Sequence, residues 1–415
     1  MALDMTSFDA ALKEHYNDQR VINMVYKNNP LLALIPKFED FGGRNYRLPL
    51  IYGNPQGRSA SFARAQTRGG LTASKIEDFV LTRVKNYSIA TIDNETLEAS
   101  KGNANAFMEA ATIEIDGAIN SISRDFAIDM YRSGFGDKGV IGSISSATIV
   151  LATVDDVTNF EVGQELVLST TQGSAVLRAL GTSTNGLIIT GVNRSTGVLT
   201  FGYNVTDSTN GIPTAAAGDY IFVRGDREDS ATPSRLKISG MESWVPSSTP
   251  ASAAFFSVDR TLDPTRLAGQ RFDGTALPIE EALIDGATLA AREGGHPDHC
   301  FMNYSKYASL EKALGSKVQY IDLKVDAQVM FRSIIIQGPN GPIKIIPDQN
   351  CPAGRAFMLQ LDTWKVYSLG KMVRVLDTDG LQMLRQSSAD GVEVRYGGYL
   401  QIGCNAPGFN VNVQL

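Results

Sequence analysis

Side chains able to do chemistry are scarce in this 415-residue chain, which has three histidines and three cysteines. The one histidine cluster is "GGHPDHC", which offers His296, Asp298, His299 and Cys300. His296, His299 and Cys300 are possible metal ligands. However, they sit in a Gly-Pro loop entering a strand, with no second ligand pair at zinc-site spacing. His15 falls on the polar face of a predicted N-terminal helix. Cys300, Cys351 and Cys404 are widely spaced and form no C-x-x-C pair, which suits reduced, packed thiols.

Nucleotide and hydrolase signatures are absent. There is no G-x-x-x-x-G-K-[ST] loop, no G-x-G-x-x-G after a strand and no G-x-S-x-G elbow. "GPNGP" (338–342) reads as a turn, because its prolines remove the N–H groups that a phosphate cradle needs. "LDTDG" (376–380) carries only a fragment of a calcium loop and reads as a solvated turn. Glu280 and Glu281 are adjacent on a helix and so face different directions. Trp244 and Trp364 suit core or interface packing better than a stacking platform. The chain reads as a non-enzyme with no cofactor and no metal.

The most unusual stretch is "NPQGRSASFARAQTRGG" (54–70). It lies in a longer run, 41–76, that has arginines and a lysine but no acid, although the formal net charge is -6. Arg58, Arg64 and Arg68 are its candidate contact residues. Three partners suit them: nucleic acid, solvent around a loop tip, or the acidic surface of another copy of this chain. A net charge of -6 argues against bulk coating of nucleic acid.

Apolar residues are 43% and charged residues 20%, ordinary for a chain with a real core, and the 39 glycines imply many turns. No apolar run is long enough to span a bilayer, and no secretory signal is apparent. Apolar spacing predicts a helix over 7–27, capped by Ser7 and ended before Pro30. Strands are expected at 44–52 and 75–93, so that 54–70 becomes the tip of a long hairpin. From Asn103 to Tyr131, Phe107, Ala111, Ile115, Ile119, Ile122, Phe126 and Met130 recur at helical spacing, giving a helix roughly 40 Å long. Residues 140–226 turn rich in Thr, Ser, Gly and Val. They hold five short strand patterns, read as an inserted β-barrel or β-sandwich. Helices follow at 277–295 and from Ser305, its cap, with strands between and after them.

Three later stretches carry a family resemblance. They are "HCFMNYSKYASLEKAL", "GPIKIIPDQNCPAGRAFMLQLDTWKVYSLGKMVRVL" and "YGGYLQIGCNAPGFNVNVQL". In sequence and in the order of elements, the chain resembles the major capsid proteins of tailed bacteriophages, the Hong Kong 97 type. That resemblance implies an α+β fold with an inserted small all-β domain. It divides the chain into an N-terminal arm (1–43), an extended loop (44–88) and a peripheral domain with a spine helix (89–139). The insertion (140–226), more peripheral domain (227–285), an axial domain (286–390) and closing peripheral strands (391–415) complete it.

The implied function is self-assembly into the hexamers and pentamers of an icosahedral head enclosing double-stranded DNA. Expected partners are identical subunits, a separate scaffolding protein, a portal, a decoration protein and non-specifically held DNA, with no membrane. The scaffold is expected to be separate because no long charged leader precedes Ser7. The expected location is the virion, after synthesis in the bacterial cytoplasm. On this reading Arg58, Arg64 and Arg68 contact the neighbouring subunit. Lys75 lies near the loop base, but no asparagine pairs with it in a predicted cross-link. An encapsulin-like compartment shares the resemblance, and a β-rich carbohydrate-binding or hydrolytic protein is the reading from another class.

Overall fold

The computed structural model describes residues 29–94, 104–251, 254–314, 320–325, 329–377, 380, 383–386 and 390–415. The helix expected over 7–27, with His15, lies outside the described residues. The described helices are α1 (Pro30–Leu34), α2 (Phe62–Leu71), α3 (Ala104–Asp129), α4 (Met241–Trp244), α5 (Ile279–Arg292) and α6 (Tyr304–Leu314). Around them stand two large sheets, a closed barrel and a two-stranded arm.

The long strand Gly391–Cys404 organises the first sheet. It pairs with Val84–Asp93 along one edge and with Trp364–Ser368, Arg374–Val375 and Leu384–Arg385 along the other. Helix α3 packs on this sheet through the apolar stripe that the sequence spacing marks. Ile115, Ile119, Ile122, Phe126 and Met130 are all buried. Trp244 and Trp364 are fully buried in the same core, with ring centroids 6.3 Å apart in an edge-on arrangement. Both tryptophans are therefore packing residues.

The second sheet orders its strands as 270–273, 411–414, 355–359, 299–302, 341–347, 329–338 and 320–325. It separates two cores, and the strand period of two assigns its side chains. Cys300 and Met302 join the cluster under α5 and α6, whereas Phe301 joins the first core. Ala356 and Met358 likewise face one way, Phe357 and Leu359 the other. The pairings cut across the linear segments expected from sequence. Strands 364–368 and 374–375 belong with 391–404, and 411–414 belongs to the second sheet. "GPNGP" is a hairpin turn, with Gly338 opposite Gly341.

Residues 137–223 hold six strands that close into a barrel around its own core. The five strand patterns read from sequence are all strands here. The sixth, Asp137–Ser145, was missed because glycines and charges at its start look like a helix stop. Helix α6 also starts differently from expectation. The Asn303 side chain accepts the Ser305 backbone N–H at 3.0 Å, so Asn303 is the cap rather than Ser305.

The chain leaving the barrel returns against the end of α3. A Cβ on Gly240 would lie 2.3 Å from the Met130 carbonyl oxygen and 2.4 Å from that of Asp129, so only glycine fits. Gly240→Ala is expected to cost about 1–3 kcal/mol through forced backbone movement. Urea unfolding should show it as a lower midpoint at unchanged slope.

Candidate assembly surfaces

The two-stranded arm consists of Asn45–Gly53 and Lys75–Thr82, paired antiparallel from Asn45 opposite Thr82 to Gly53 opposite Lys75. Its base is anchored. Leu48, Phe79 and Leu81 are buried in the first core, and the Val80 N–H donates to the Phe256 carbonyl at 2.9 Å. Toward the tip the burial ends. Ile51 is 61% exposed and Ile76 59%.

The tip is more ordered than the loop expected from sequence, because residues 62–71 form helix α2. The helix buries no residue, and Phe62 and Leu71 are 83% and 79% exposed. A ten-residue helix with two glycines is marginal by itself in water. Local contacts help it: an added Cβ on Gly57 would fall 2.9 Å from the Gly69 Cα, so the incoming chain lies directly on the helix.

Arg58, Arg64 and Arg68 are all exposed. Arg64 and Arg68 stand four residues apart on α2 and share a face, which Leu71 extends by helical spacing. Arg58 precedes the helix. Among the described residues none of the three forms an ion pair. By contrast, Arg47 nearer the base pairs with Asp78 at 2.7 Å. The tip thus presents cations and apolar side chains that the described part of its own subunit does not use.

A second feature has no local signature in the sequence. Where the barrel joins α3, Lys138 and Lys237 meet three carboxylates. Lys138 Nζ lies 2.5 Å from Asp125 and 2.9 Å from Asp129. Lys237 Nζ lies 2.6 Å from Asp125 and 3.0 Å from Asp226. Asp125 and Asp129 come from α3, Lys138 from the first barrel strand, and Asp226 and Lys237 from the chain leaving the barrel. Asn86 of the first sheet also hydrogen-bonds Asp125 and Lys237. The cluster borders a 420 Å³ cleft between α3, the sheet and the barrel.

Burial opposes charge on both lysines, yet the carboxylates outweigh it and raise both. Burial would likewise raise Asp125, but Lys138 and Lys237 hold it well below the usual carboxylate range. Asp129 goes the other way. Burial and the Asp125 charge push it up to about 6 against its two lysines. One carboxylate in excess of two ammonium groups explains the split. The charge spacing could have hinted at this, since Asp125 and Asp129 are one helical turn apart, but Lys138 and Lys237 are 99 positions apart.

The remaining sequence candidates do not converge. His299 and Cys300 are consecutive on a strand and point to opposite faces. His299 Nδ1 lies 2.9 Å from Asp298, whereas His296 is exposed in the loop before it. Burial pushes the Cys300 thiol well above its ordinary value, away from ligand chemistry. Thr378 and Asp379 of the calcium-like turn lie outside the described residues, and no described helix is long and apolar enough to cross a membrane.

Residues 214–386 match a family model described as SU10 major capsid protein. The match covers somewhat less than half of the chain, from the end of the barrel into the second sheet and beyond. No curated protein matches the chain. Among solved structures, a cyanophage A-1(L) capsid subunit is similar at 11% identity and a TM-score of 0.49, over 93% of this chain and 92% of that one. A Mycobacterium phage Ogopogo chain is similar at 7% identity and 0.42, over 94% and 92%. The virus-like particle of Pyrococcus furiosus is similar at 9% identity and 0.34, over 97% and 100%. Likenesses this loose assign no residue a role.

Proposed function

We infer that this chain is the major capsid protein of a tailed-phage head, a structural protein whose activity is self-association into an icosahedral shell. The observation that carries the reading is the match of 214–386 to a major capsid protein family. The order of elements that led to the Hong Kong 97 resemblance agrees with it. On this reading 44–88 is the extended loop, α3 the spine helix, and the barrel an insertion carried at the end of that helix.

The arm supplies the physical reason to associate. Its base is fixed in the first core and its tip buries nothing at home. Covering Phe62, Leu71, Ile51 and Ile76 removes apolar surface from water, at about 25 cal/mol per Å². Arg58, Arg64 and Arg68, which form no ion pair among the described residues, give the contact direction and register, and an acidic copy of the same chain supplies the complementary charge. Repeated around hexamers and pentamers, a contact of this kind closes a shell. A separate scaffolding protein, a portal, a decoration protein and loosely held DNA remain the expected partners.

Electron microscopy of the full-length protein, expressed alone and with a scaffolding protein from the neighbouring genes, tests the reading. Closed shells or capsomer rings are expected. A protein that stays monomeric at high concentration in both cases would refute it.

A further inference from the structure

A second cleft, also 420 Å³, lies between the start of the barrel, α4 and the strand that begins at Arg355. Its charged groups are Arg132, Asp137, Arg235, Glu242, Arg260 and Arg355. Both carboxylates are already engaged. Glu242 pairs with Arg355 at 2.8 Å. Asp137 accepts hydrogen bonds from Ser133 at 2.7 Å and Gln172 at 3.1 Å, and lies 3.9 Å from Arg132. Arg132 is itself bonded to Asp156 at 2.5 Å.

Arg235 and Arg260 are left over. Neither forms an ion pair with any described carboxylate. Their guanidinium carbons lie 4.9 and 4.2 Å from the centroid of one ring, Phe255, and both side chains line the same cleft. Arg235 reaches only a backbone carbonyl, that of Ser133 at 3.3 Å. Arg260 is 7% exposed. One terminal nitrogen donates to the Ser243 carbonyl at 2.6 Å, and Nε meets no acceptor.

A guanidinium does not shed its charge as a lysine can, and an uncompensated buried charge is strongly unfavourable. Two such groups facing one cleft, both packed against an aromatic ring, have the character of an anion site. We propose that Arg235 and Arg260 bind a single oxyanion, phosphate or carboxylate, at the seam between the barrel and the rest of the subunit. Ser247 and Ser248 also line the cleft and supply hydroxyl donors. The group arrives either as a free ion or as an acidic side chain of a second copy.

Thermal unfolding of the full-length, unassembled protein tests this, with sodium phosphate and sodium acetate each compared with sodium chloride at equal ionic strength. Phosphate should raise the midpoint with the logarithm of its concentration, by about 3 °C once it reaches roughly a hundred times its dissociation constant. Arg235→Gln and Arg260→Gln should each remove most of that rise, which separates site binding from the general stabilisation that phosphate gives through surface exclusion. An equal rise in acetate that depends on the same arginines identifies a carboxylate as an acceptable ligand, and a rise in phosphate alone identifies the free ion. Equal midpoints in all three salts overturn the proposal, as does a full phosphate response in Arg235→Gln. Arg235 is only partly buried and makes one weak hydrogen bond, so Arg235→Gln stays informative if Arg260→Gln fails to fold.

Discussion

Replacing Arg58, Arg64 and Arg68 together with glutamate is expected to impair shell assembly severely while leaving the subunit folded. All three are exposed and form no ion pair within the described part of their own subunit, so folding loses little. Across an interface the balance differs. Each reversal removes an attraction and adds a repulsion toward an acidic surface, and like charges brought together in a contact cost several kcal/mol. Since about 1.4 kcal/mol is a factor of ten in an equilibrium, shell yield should fall by on the order of tenfold or more. Sedimentation would measure the yield, and circular dichroism with a thermal scan would verify the fold. A triple glutamine variant should assemble to an intermediate extent and gain from lower salt less than the native chain does, because it lacks the screened attraction. Normal shell yield from the glutamate variant would remove the arm's arginines from the assembly contact.

A companion change separates charge from apolar contact at the same tip. Phe62→Ser and Leu71→Ser remove exposed apolar area on a helix that buries nothing at home. Stability of the isolated subunit should stay within about 0.5 kcal/mol, as for surface changes generally. Assembly should weaken with little change in its salt dependence, which comparison of shell yield across ionic strengths would reveal.

Much of this architecture is legible in the chain because it rests on local periodicity. The stripe from Ile115 to Met130 repeats every three or four residues, and its helix buries that stripe. The Thr- and Val-rich patterns after position 140 are short strands between turn residues, and they are strands in the barrel. What escaped notice depends on distance along the chain. The second sheet pairs 270–273 with 411–414, a match between short strands that no local pattern announces. Helix α2 escaped because its glycines and lack of apolar stripe resemble a loop, and the same features leave its surface available. Arg58, Arg64 and Arg68 were legible as unusual, through the run without acids. The lysine–aspartate cluster was not, because Asp125 and Asp129 look like the polar edge of an amphipathic helix until Lys138 and Lys237 arrive from either end of the barrel.

That cluster yields the largest expected effect on stability. Lys138 is 2% exposed and lies between Asp125 and Asp129. Lys138→Met fills a similar volume but leaves both carboxylates to share Lys237. Breaking a buried pair in this way costs about 3–5 kcal/mol. Because the same contacts join the barrel to α3, the loss should appear as earlier loosening of the barrel junction, read by hydrogen exchange at Asp137–Ser145. Adding Asp129→Asn should return part of the loss, since it removes the surplus charge, and the two changes should be non-additive.

The pH dependence fixes which carboxylate carries that surplus. Asp129 is raised from 3.8 to about 6 in the folded state. A raised acid contributes its stability fully below 3.8 and loses it as pH climbs through 6. Asp125, held low by the lysines, behaves oppositely: its contribution is present above 3.8 and is lost as pH falls through its depressed folded value. Asp129→Asn mimics the protonated form at every pH. Relative to the native chain, it should therefore be least favourable near pH 4 and gain steadily up to about pH 7, where the native side chain is ionised at a cost. Thermal midpoints of the two proteins, measured from pH 4 to pH 8, should diverge in favour of the variant over that window. A constant gap would place the shared proton on Asp226 instead, whose burial also raises it and which Lys237 meets at 3.0 Å.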